Sequence, residues 1–129
     1  MNSEAQPAET EVNHAFHVSR QTWTHIALHC KNIDEMISWY EQHTHFSLLF
    51  KEEDPFGAGA WMGDKSQVEH PFVLVFQQFA EGNDPFSPAE HHPLGPFAHI
   101  GIEVPAKEDV DDIAAKAEKS GSLIMGPVR

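Results

Sequence analysis

Two histidines, His25 and His99, lie 74 residues apart in matching surroundings. Thr24-His25-Ile26-Ala27-Leu28 leads into a helical pattern from Asp34, and Ala98-His99-Ile100-Gly101-Ile102 leads into one from Lys107. A period of this length suggests a duplicated supersecondary unit rather than a short solenoid repeat. In each copy, alternation sends the aliphatic residues to one side of a strand and a histidine followed by a small residue (Ala27, Gly101) to the other. A small residue beside a histidine leaves room for a ligand. Neutral imidazole is a good donor to Zn, Mn, Fe, Co or Ni. Two imidazoles leave a divalent ion with open positions for protein oxygens, water and substrate, where it can stabilise a forming enolate or alkoxide. Without a metal, the same pair reads as partly buried, hydrogen-bonded histidines.

The elements that must position them follow from periodicity. Trp23 to Cys30 reads as a strand, and Asp34 to His43 as a helix with Ile33, Met36, Ile37 and Tyr40 on one face and Asn32 or Asp34 as cap. His45 to Lys51 reads as a strand. Asp54 to Gly59 is turn or loop material, Ala60 to Met62 a short strand, and Phe72 to Phe79 a central strand. The order is β-α-β-β-β. Glu81 to Pro96, rich in Pro, Gly, Asn, Asp and His, is the linker; its His91-His92 pair is loop and lid material. Phe97 to Val104 reads as a second strand and Lys107 to Ser120 as a second helix with Gly121 as C-cap. Leu123 to Met125 begins a further strand. His43-Thr44-His45 serves helix termination.

These residues carry a resemblance. His25-Ile26-Ala27-Leu28 and His99-Ile100-Gly101-Ile102, each leading into a helix, resemble the two half-modules of the vicinal oxygen chelate superfamily over roughly Thr22 to Arg129. That group includes glyoxalases, bleomycin- and fosfomycin-resistance proteins, methylmalonyl-CoA epimerases and extradiol dioxygenases. The resemblance implies an α+β fold of paired βαβββ modules forming a cup-shaped mixed sheet with helices on its outer face. Residues 1–20 would be a flexible acidic tail and 21–129 a single domain: module one 22–80, linker 81–96, and a C-terminally incomplete module two 97–129. It implies a divalent metal (Zn, Mn, Fe, Ni or Co) held by His25 and His99. The family's last-strand Glu or Gln falls here on Gln77 or Gln78, with Gln77 preferred. The Asp-Pro-Asp-Gly turn and ligand Glu of the family's final strand have no counterpart. His29 and Glu103, two residues beyond the histidines, are pocket-lining or strand-end positions.

Two functions are implied: a metal-dependent lyase, isomerase or dioxygenase acting on a small oxygenated metabolite, or a metal-free drug-binding protein of the bleomycin-resistance type. A third is a unit that associates with another copy through unpaired strand edges, giving a homodimer.

Composition bounds the rest. With 20 acidic against 8 basic residues the formal charge is −12. That field disfavours nucleic acid and anionic membranes, and either suits a cationic ligand or merely keeps the protein in solution. The chain has no apolar run of membrane-spanning length. The lone Cys30 forms no internal disulfide and, with the polar N-terminus, predicts a cytoplasmic protein. Walker, GxSxG, CxxC and dinucleotide glycine signatures do not occur.

Overall fold

The computed structural model describes residues 20–92 and 94–127. The predicted tail, but for Arg20, lies outside the described residues. The elements are β1 (His25–His29), α1 (Ile33–His43), β2 (Ser47–Asp54), β3 (Gly57–Gly63), β4 (Val73–Phe79) and α2 (Lys107–Lys119). The sheet order is β1-β4-β3-β2. β1 runs parallel to β4, and the other neighbours are antiparallel. This is an α+β protein with a mixed four-stranded sheet, and its first five elements are the predicted β-α-β-β-β module.

α1 forms because its apolar residues recur at helical spacing and its ends are satisfied. Asn32 Oδ1 accepts from Glu35 N at 3.1 Å, and Asp34 and Glu35 place negative charge in the first turn. At the other end Thr44 N and Thr44 Oγ1 both donate to Tyr40 O. The apolar face covers one side of the sheet. Cys30, Ile33, Ala60, Met62, Leu74 and Phe76 make the core, with Ile26, Leu28, Met36, Ile37 and Tyr40 packed against it. Phe76, Met62 and Leu74 are fully buried, each contributing about 1.5–3 kcal/mol over exposure.

Three expectations are corrected. β3 begins at Gly57, so Gly57-Ala58-Gly59, read as loop, is ladder. Glycine signalled a break, whereas here it permits close approach: Gly57 has φ +139°, and a Cβ there would overlap the Gln78 carbonyl. Phe97 to Val104 is not a strand, and neither is Leu123 to Met125. Alternation describes what a paired strand would bury but supplies no partner. Among the described residues this segment joins no ladder, and Phe97 is 87% and Ile102 48% exposed. Consequently the sheet stays open rather than closing into a cup.

α2 has no buried residue. Asp109 caps its start by accepting from Ala106 N at 3.1 Å. It is tied to α1 near its C-terminal end. Trp39 Nε1 donates to Ser122 Oγ at 2.9 Å, and the buried His43 bridges Trp39 O (2.8 Å) and Ser120 Oγ (3.0 Å).

Candidate functional site

Strand register sorts the site residues, because directly paired residues share a face. His25, Ala27 and His29 pair with Val73, Val75 and Gln77. Val75 and Gln77 pair with Trp61 and Gly59, which pair with Phe50 and Glu52. These residues form the face opposite α1. Gly57 and Gly59 of β3 fall to this side, while Ala58 and Ala60 face the core, and Gln77 lies across Gly59, where a Cβ would come within 3.2 Å of Gln77 Oε1. Trp61 and Phe50, 49% and 47% exposed, meet edge to face at 5.7 Å. The result is an open surface with aromatic rings at one side, imidazoles at the other and an amide between.

The choice between the two glutamines resolves by position. Gln78 is on the helix side, where its Oε1 accepts from Ile33 N at 2.8 Å and satisfies the first turn of α1. Gln77 is on the open side, with one long bond of 3.4 Å from its Nε2 to Gln78 O.

The predicted donors are less closely grouped than their types suggested. His25 is exposed and bonded through Nδ1 to Thr24 Oγ1 at 2.9 Å. It pairs with Val73, while Gln77 pairs with His29. His25 and Gln77 are therefore four residues apart along the sheet, about 13 Å. The open-face β4 positions nearest His25 are the apolar Val73 and Val75. His99 and Glu103 lie in the segment outside the sheet; His99 Nδ1 is 2.7 Å from Phe97 O. Among the described residues no group of three or more His, Cys, Asp and Glu side chains is placed to hold a metal ion.

A second cluster assembles where the sequence suggested only a linker. His91 stacks on His29 (ring centroids 4.2 Å, 12° between planes) and on Phe79 (5.3 Å), with Phe86 edge-on beyond. His91 Nε2 is 2.7 Å from Asp84 Oδ2. Burial, then the neighbouring His91, lowers the His29 pKa from 6.5; Asp84 opposes this and Lys31 adds to it. Asp84 is held below the usual carboxylate value, chiefly by the hydrogen bond from Phe86 N and further by His91. The available signals were Asp84-Pro85-Phe86 and His91-His92, which marked a turn and a loop but not the side chains they would meet.

None of the described helices is long and apolar enough to cross a membrane. The chain is similar to the uncharacterized protein PA2024 of Pseudomonas aeruginosa PAO1, with 28% identity over 106 residues, covering 82% of this chain and 70% of that protein. No solved structure matches it. The family model described as Glyoxalase/Bleomycin resistance protein/Dioxygenase superfamily matches residues 22–129. Together with the βαβββ module, that match makes this chain a member of the glyoxalase/bleomycin resistance protein/dioxygenase superfamily, the vicinal oxygen chelate group.

Proposed function

We propose that this protein binds a small planar organic ligand on the open face of its sheet without a resident metal. The observation that carries the reading is the make-up of that face: Trp61 and Phe50 exposed at one side, Gln77 with spare hydrogen-bonding capacity in the middle, and His25 flanked on β4 by Val73 and Val75 rather than by a second donor. Exposed aromatic rings provide stacking area, and the amide fixes orientation. The net charge of −12 favours a cationic guest.

The metal-dependent reading, a lyase, isomerase or dioxygenase using a divalent ion on His25, His99 and Gln77, is favoured by one observation: His25 and Gln77 share the open face. Within one copy these donors do not fit a single ion, since His25 and Gln77 are about 13 Å apart along the ladder and ligand bonds are about 2 Å.

Metal analysis of protein purified without chelator separates the two. Metal-free protein whose melting temperature rises with cationic aromatics supports binding. Stoichiometric metal, lost in a His25→Ala/His99→Ala variant, overturns it. The homodimer expectation is supported by β1, which pairs on one side only among the described residues. A single sedimenting monomer across the accessible concentration range would refute it.

A further inference from the structure

Residues 81–92 fold back from the end of β4 onto the open face. Their start is anchored: Ala80 N donates to Phe56 O at 2.8 Å, and Asn83 Nδ2 donates to Pro55 O at 2.6 Å. Beyond Asn83, the hydrogen bonds among the described residues stay within the segment. Phe86 N and Ser87 N bond to Asp84, Ala89 N bonds to Phe86 O, and His91 bonds to Asp84. The far end meets the sheet through rings, with no hydrogen bond to it among the described residues: His91 stacks on His29 and Phe79, Phe86 lies edge-on to Phe79 at 5.8 Å, and the Asp84 carboxylate adds an electrostatic attraction to His29. Phe86 is 60% exposed. A segment with its own internal hydrogen bonds, attached to the sheet by ring contacts and one charge but no hydrogen bond, can leave the sheet as a unit without breaking a ladder.

What it covers is a shelf. The His29 and Phe79 rings lie 5.9 Å apart and within 19° of parallel. The His91 ring lies 12° from one and 29° from the other. One flat ring therefore already rests where a flat guest would rest, with Gln77 alongside and Asp84 close by.

We propose that residues 81–92 are a hinged strap whose His91 and Phe86 rings occupy the His29–Phe79 shelf, and that the strap lifts when a planar aromatic ligand takes that place. The ligand half rests on the open face being the binding surface; the hinge half does not.

The test is made on the full chain with His91→Ala and Phe86→Ala. Amide hydrogen exchange in 82–91 should become roughly threefold to tenfold faster in H91A, the scale expected for one lost ring stack, with β1 and β4 amides unchanged. The cationic planar dye thioflavin T should bind H91A several-fold more tightly than the parent, and His29→Ala should reverse that gain. F86A, altering an exposed ring, guards against misfolding and should move in the same direction. Unchanged exchange in both variants overturns the strap. Faster exchange with dye binding unchanged or weaker overturns its competition with ligand. Dye binding to none of the proteins overturns the open-face reading itself, while the exchange data still decide the hinge.

Discussion

Gly57→Ala should be among the most damaging single-methyl additions in this protein. Gly57 opens β3 at φ +139°, a conformation that L-residues rarely adopt. An added Cβ would overlap the Gln78 carbonyl oxygen and approach Ala80 N and Phe79 Cα to 2.9 Å. All three neighbours are backbone atoms of the paired strand and its exit, so no side chain can swing aside. Backbone strain of this kind costs about 1–3 kcal/mol, and overpacking adds about 1–3 kcal/mol. The sum, about 2–6 kcal/mol, is a large part of the roughly 5–15 kcal/mol that holds a domain together. A melting-temperature drop on the order of 10–20 °C follows for a domain of this size. Gly101→Ala is the matched control: nothing lies within 4 Å of its Cβ and its φ is not positive, so its effect should stay within about 0.5 kcal/mol. Urea unfolding with both variants measures the difference. If Gly57→Ala unfolds within about 1 kcal/mol of the parent, the close approach of β3 to β4 is wrong.

Phe76→Ala, at a residue with no exposed surface at the centre of the core, should cost about 3–5 kcal/mol in the same assay. Gln78→Leu removes the acceptor of Ile33 N and should cost about 1–3 kcal/mol, whereas Gln77→Leu on the open face should be near neutral for stability while changing ligand response. Acidification should loosen the strap. The His29 pKa is lowered in the folded state by burial and by His91, so the attached state favours neutral imidazole. The contribution is complete above the ordinary value of 6.5 and is lost as pH falls toward the lowered one. The groups facing His29 are His91 and Asp84 from the strap and Lys31 from the turn after β1; β4 presents Gln77 and Phe79, which carry no charge. Exchange in 82–91, corrected for intrinsic rates, should hold steady above the ordinary imidazole value of 6.5 and rise as pH falls below it, and His29→Phe should flatten that profile. A rise that persists in His29→Phe would assign the effect elsewhere.

Local signals in the chain were enough for the first module. The apolar spacing of Ile33, Met36, Ile37 and Tyr40, with Asn32 ahead of it, specified α1 to within a residue. The alternation of His25 to His29 correctly turned Ile26 and Leu28 to the core and the histidines away from it. These features are short-range, and the chain states them directly. Register and pairing were another matter, because they depend on which strands meet. Gln77 and Gln78 are chemically identical neighbours on one strand; only the seating of α1 over β4 sent Gln78 to Ile33 N and left Gln77 on the open face. The repeat around His99 copies the pattern of β1 but finds no ladder among the described residues, so its alternation stays unrealised as a strand. The stacking of His91 on His29 joins residues 62 apart through a turn at Asp84. No periodicity encodes that meeting, because it is fixed by where β4 ends and where the chain folds back.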